Sequence, residues 1–252
     1  MQNQFSITPY IKLENPCSWV NQVYYKSGDI DILFFSNYSL HRSFSSMAIF
    51  SANGKTAWLW DTAKGERYRY PVDGETFNIS LEPGESKVIV FGNNDRGETF
   101  LLIEPDEANA IVVAGPWKIR LEHVDGTTQN IVMDELVDFK EHEILKSFAG
   151  VAYYENTVST DSATKSKFID LGKVHGVSEL VVNGKEAGSR WYGRHTFDVS
   201  KAIHNGENSI QIKITTTLGN YLKSLPDNKD SKKWMKNQPL YSNGLTGPVR
   251  MM

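Results

Sequence analysis

The chain has 252 residues, 40% hydrophobic and 23% charged, the proportions of an ordinary globular protein rather than a disordered or fibrous one. A formal net charge of −3 leaves no basic stripe to displace counterions, so neither nucleic acid nor an anionic membrane is expected as a partner. No run of about 18 apolar residues predicts a transmembrane helix. The single cysteine, Cys17, excludes an internal disulfide and a cysteine-based zinc site.

The length suits two ordinary domains. Residues 1–19, with Pro9 and Pro16 among polar spacers, read as an irregular lead-in, and MQNQFSITPYIKLENP lacks the basic start and apolar core of a signal peptide. From Val20 the texture turns β-rich: VYYKS, a break at Gly28-Asp29, then DILFFSN. Strands are expected at 43–50, 56–60, 66–72, 75–81 and 86–91, punctuated by Asn53-Gly54, Gly65, Asp73-Gly74 and Pro83-Gly84. Short strands at such spacing, with no 3.6-residue stripe, predict a small β-sandwich over 1–105. Its end is marked by the turn-rich Asn93–Gly97 and by a polar break around Pro105, with a strand expected over Phe100–Ile103 between them.

A second domain is expected over 106–252. IVVAGPWKIRLEHVDG and the stretch to Leu136 supply its first strands, and DFKEHEILKS at 138–147 is the one place where a short helix or turn fits. Phe148–Val158 returns to strand. At Asn183-Gly184, after Leu180, Val181 and Val182, the chain should reverse, because a type I′ turn needs φ > 0 at both central residues. Ile210, Ile212 and Ile214 alternate with polar neighbours, a strand with one buried face. LKSLPDNKDSKKWMKNQ at 222–238 reads as a long surface loop.

Catalytic patterns are missing from the sequence. It has no G-x-S-x-G elbow, no H-E-x-x-H and no phosphate-binding P-loop, and Lys140-Glu141-His142-Glu143 lacks the second histidine of a zinc helix. Glu141 and Glu143 alternate on a solvated segment and read as surface charge. Asn93-x-Asp95-x-Gly97 and Asp227-x-x-Asp230 offer oxygen ligands without completing a calcium loop, so both read as solvated turns and no cofactor is assigned. The six tryptophans read one by one as core. The segment after the Asn183-Gly184 turn stands out: Arg190, Trp191, Tyr192, Arg194 and His195 combine rings that stack on a sugar face with donors for its hydroxyls. Trp234, on the long loop, can approach the same mouth. The competing reading packs Trp191 beneath the loop or against another domain.

The order LGKVHGVSELVVNGKEAG, a Trp-Tyr loop, HTFDVSKAI and NGENSIQIKI resembles the galactose-binding-like, sugar-binding jelly roll of family 2 glycoside hydrolases. Together with SFAGVAYYENTVS and SNGLTGPVR it resembles still more the C-terminal module of family 106 α-L-rhamnosidases. VYYKSGDIDILFFSNYS, AWLWDTAKGE and FNISLEPGESKVIVFG resemble the β-sandwich that precedes that module. The resemblance implies an all-β chain of two consecutive β-sandwich domains, the second a galactose-binding-like jelly roll, some with a structural calcium. It implies a non-catalytic C-terminal fragment, since the catalytic carboxylates of those families sit on an upstream (β/α)₈ barrel. Carbohydrate and that upstream catalytic domain are the expected partners, in polysaccharide degradation by a secreted, periplasmic or extracellular enzyme whose signal peptide lies outside this chain. A free-standing lectin or adhesin module is the alternative.

Overall fold

The computed structural model describes residues 9–52, 54–62, 65–100, 110–160 and 167–252. The chain is all-β and forms two compact units, Met1–Ile103 and Glu104–Met252.

The first unit contains β1 (Lys12–Leu13), β2 (Val20–Ser27), β3 (Ile30–Asn37), β4 (Phe44–Ile49), β5 (Thr56–Asp61), β6 (Glu66–Arg69), β7 (Thr76–Leu81) and β8 (Ser86–Gly92). They form a three-stranded sheet, β1-β4-β7, and a five-stranded one, β2-β3-β8-β5-β6. Alternation decides what each sheet buries: Leu33, Phe35, Ile89 and Leu59 from one meet Phe44, Ala48, Phe77 and Ile79 from the other. Phe35 and Phe77, from the two sheets, meet edge to face with ring centroids 6.3 Å apart. The lead-in belongs to this sandwich: Ile11 is buried and Lys12 and Leu13 pair with Ile49 and Ala48. Of the strand expected at 100–103, only Phe100 lies within the described residues; it stacks on Tyr70.

The second unit contains β9 (Ile111–Val112), β10 (Trp117–His123), β11 (Thr128–Met133), β12 (Gly150–Thr160), β13 (Phe168–Asp170), β14 (Lys173–His175), β15 (Val177–Val182), β16 (Lys185–Arg190), β17 (Thr196–Asp198), β18 (Gly206–Thr215), β19 (Gly244–Gly247) and β20 (Arg250–Met251). Its main sheet runs β11-β10-β12-β18-β15-β16; opposite it lie β17-β13-β20-β9 and the pair β14-β19. Trp117, Ile119, Tyr154, Ile212 and Leu180 from the main sheet pack with Ile169, Phe197, Leu245 and Met251. Asn183 and Gly184 both have positive φ, 50° and 75°, as the expected turn requires.

The long loop expected at 222–238 is partly helical instead, with α1 at Gly219–Ser224 and a π-helical turn at Ser231–Met235. Such short helices carry no amphipathic stripe to read and depend on tertiary ties. The Asn220 side chain donates to Tyr241 O at 2.8 Å and accepts from Tyr241 N at 2.9 Å, clamping the base of the segment. The Asn228 side chain accepts from Asp230 N and Ser231 N and starts the π-helical turn. The 138–147 segment does contain the expected short helix, a 3₁₀ turn at Phe139–Glu141 capped by Asp138. No helix among the described residues is long and apolar enough to cross a membrane.

Candidate functional site

The register of the main sheet determines which loops share an end. His123 pairs with Gly150, Val151 with Thr215, Thr215 with Val177, and Ser178 with both Ile214 and Arg190. The hairpin at 124–127, the segment entering β12, the loop 191–195 and the segment 216–243 therefore all leave the sheet at one end. Asn183-Gly184 turns at the other.

A bulge aims the loop. Pairing of β15 with β16 shifts between Leu180 and Val181, so one extra residue enters β16 and Arg190 comes opposite Ser178, on the core side. Its guanidinium lies 5.2 Å from the centroid of the buried Phe197 ring. Past Arg190 the chain leaves the sheet, and Trp191 is 68% exposed, with its ring centroid 4.4 Å from that of Tyr192 in an edge-on contact. Trp191 is therefore neither core nor tucked beneath its loop.

The next two residues turn inward. Arg194 Nε and Nη2 donate to Asp170 Oδ2 at 3.1 and 2.8 Å, and Asp170 is buried at the end of β13. Asp170 Oδ1 also accepts from Gly172 N. His195 is buried, its Nδ1 shares a 2.6 Å hydrogen bond with Ser178 Oγ, and its carbonyl accepts from Leu171 N. Burial pushes the imidazole down to about 4; the Arg190 guanidinium and His175 add to the effect and Asp170 opposes it. A paired serine and histidine suggests nucleophilic chemistry, but Ser178 has no exposed surface on which a substrate could meet it, and Asp170 is engaged by Arg194. The geometry is that of a lock on the loop. Arg194 and His195 hold the chain against the sandwich while Trp191 and Tyr192 form its tip.

Trp234 is 64% exposed on the π-helical turn, with Lys233 Nζ 4.7 Å from its ring centroid. Its segment opens at the same end as the Trp191 loop. The sequence reading did not single out His123, which lies there too: its ring meets Tyr221 at 4.7 Å and Phe148 at 5.6 Å, beside a hollow of about 130 Å³ lined in part by Asp125, Thr127 and Gln129. The Thr127 hydroxyl and amide hold the Asp125 carboxyl down to about 2, with His123 adding to the effect against burial. Nothing in the spacing of these residues marks them; strand register assembles them.

The two calcium-like turns have other employment. Residues 94–97 close over Trp58, whose Nε1 donates to Asn94 O and whose ring lies against Gly97. The Asp227 side chain is fully exposed, 3.7 Å from Lys232. Among the described residues no group of three or more His, Cys, Asp or Glu is arranged to hold a metal ion.

No family model matches the chain. Two curated proteins of Formosa agariphila, each described as "Putative beta-glucuronidase", are similar to it. One is 27% identical over 216 residues, covering 71% of this chain and 18% of that protein; the other is 29% identical over 107 residues, covering 41% and 9%. The chain thus spans less than a fifth of the length of these relatives. The structure of a rhamnosidase from Novosphingobium sp. PP1Y matches 99% of this chain and 25% of its own, with a TM-score of 0.75 at 22% identity, which establishes a common fold. The chain is thus similar in sequence to parts of two proteins described as putative beta-glucuronidases, and in fold to part of a rhamnosidase.

Proposed function

We propose that this chain is a non-catalytic portion of a rhamnosidase-like glycoside hydrolase, acting in the periplasm or outside the cell, where it supports a catalytic domain and holds carbohydrate at the Trp191 end of its second sandwich. In this reading the second sandwich is a galactose-binding-like jelly roll. The observation that carries the proposal is an exposed Trp191 on a loop locked at its base by Arg194–Asp170 and His195–Ser178. A large ring presented to water on a loop tied down at its base gives a pyranose an apolar platform at smaller entropic cost than a free loop would. Its position among loops converging at one sandwich end adds support, since binding residues concentrate on loops held by a rigid scaffold.

The test is calorimetric titration with rhamnose, galactose, glucuronic acid and plant-polysaccharide fragments. Trp191→Ala is expected to weaken binding by about 1 to 3 kcal/mol, the scale of a desolvated aromatic contact, with folding unchanged. Affinity that survives the substitution places the site elsewhere. The chain alone is expected not to hydrolyse aryl glycosides; turnover abolished by one Asp or Glu substitution within it contradicts the non-catalytic reading.

A further inference from the structure

The outer faces of the two sandwiches differ in character. On the main sheet of the second unit that face is wet: the Arg120 guanidinium covers Tyr153 at 4.1 Å, Lys213 Nζ meets Glu179 at 2.7 Å, and Gln211 donates to Glu155. On the five-stranded sheet of the first unit it is apolar. Register places Val23, Phe34, Val88 and Trp60 in one row straight across β2, β3, β8 and β5; in the row beside it Tyr25 and Ile32 stay uncovered, while Val90 and Trp58 are buried, Trp58 beneath residues 94–97. The alternate positions, Leu33, Phe35, Ile89 and Leu59, form the core, so these rows point away from it. Val23 is 55% exposed, Tyr25 63%, and Phe34 and Trp60 38% each. Arg67, opposite Trp60, and Arg69, opposite Trp58, stand at the β6 margin.

We propose that this face docks a neighbouring folded domain of a longer polypeptide, one that presents an apolar surface with carboxylates facing Arg67 and Arg69. The proposal rests on the reading of the chain as part of a larger hydrolase. The relatives carry most of their length outside the matched region, 82% and 75% by subtraction of the 18% and 25% covered. Size decides between a tethered domain and a free second copy. Four strands about 4.8 Å apart and two residue rows, less the quarter closed by residues 94–97, give a patch of about 225 Å² a side and about 450 Å² in all. That makes it the apolar centre of a domain interface within one chain, about 600 to 1,500 Å² in full, and far below the roughly 1,200 Å² of stable association between free proteins. A tether supplies by effective concentration what the area lacks. The two arginines ask the partner for acidic groups at its rim.

Cysteine labelling tests this directly. In a Cys17→Ser background, Val23→Cys probes the face, and Val132→Cys, at a position 65% exposed on the second unit, serves as control. Both should react with a maleimide at similar rates in the 252-residue chain. In the longer polypeptide encoded in frame with it, Val23→Cys should slow about tenfold or more relative to the control, and Phe34→Glu should restore its rate. Equal rates in both proteins overturn the proposal, as does a reading frame that ends at these residues. Slow labelling already in the 252-residue chain overturns it too, in favour of a second copy if the protection rises with concentration. Protection that needs added polysaccharide makes the face a sugar platform instead. None of these outcomes depends on the Trp191 titration, so docking and sugar binding fail separately.

Discussion

His195 Nδ1 and Ser178 Oγ stand 2.6 Å apart, with His195 only 6% exposed and Ser178 not at all. The pair joins the end of the Trp191 loop to β15, across 17 residues of sequence. Burial holds the folded imidazole at about 4, against roughly 6.5 in an unfolded chain, so the unfolded state takes up the proton first as pH falls. The stability this group contributes is therefore complete above about pH 6.5 and is lost as pH falls towards 4, by about 3 kcal/mol. The half-buried His175, also lowered by burial, contributes with the same sign. Urea unfolding at several pH values across this window should show the slope, and His195→Gln should flatten it. An unchanged slope in that variant places the titration elsewhere.

The Arg194–Asp170 pair is asymmetric, because the side chain of Asp170 is 5% exposed and that of Arg194 31%. Removing the arginine strands the more buried charge, so Arg194→Ala should cost more than Asp170→Ala, about 3 against about 2 kcal/mol. The double variant should recover part of the sum. Equal single costs that add without coupling rule the pair out as a lock.

Tyr154 is fully buried, and its hydroxyl accepts a hydrogen bond from Leu245 N at 3.1 Å. Tyr154→Phe keeps the ring contacts with Phe139 but orphans a buried backbone donor, at a cost of about 1 to 3 kcal/mol. Thermal unfolding of the 252-residue chain measures it. A variant as stable as the parent shows that β19 does not depend on this bond.

Gly97 is needed for room, since a Cβ there would lie 2.6 Å from two atoms of the Trp58 ring. Gly97→Ala should lift the 94–97 segment or turn the ring, costing about 1 to 3 kcal/mol and altering the near-ultraviolet circular dichroism. A spectrum and stability identical to the parent's show that the segment does not close on Trp58.

What the sequence determines here is local. Asn183-Gly184 announces a reversal because two successive positive φ angles suit few residue pairs, and Ile210, Ile212 and Ile214 declare a buried face because the side-chain period of a strand is two. Both statements need only neighbouring residues. The aromatic tip was legible in the same way, as Trp191-Tyr192 beside arginines. What Arg194 and His195 do was not, because Asp170 and Ser178 lie 24 and 17 residues away and only β13 and β15 bring them within reach. The helices at 219–235 escaped for a related reason: too short for a stripe, they depend on an amide clamp between Asn220 and Tyr241. The apolar outer face is the clearest case. Val23, Phe34, Val88 and Trp60 come from four separate strands, and only the hydrogen-bonded register of the tertiary structure lines them up on the side away from the core.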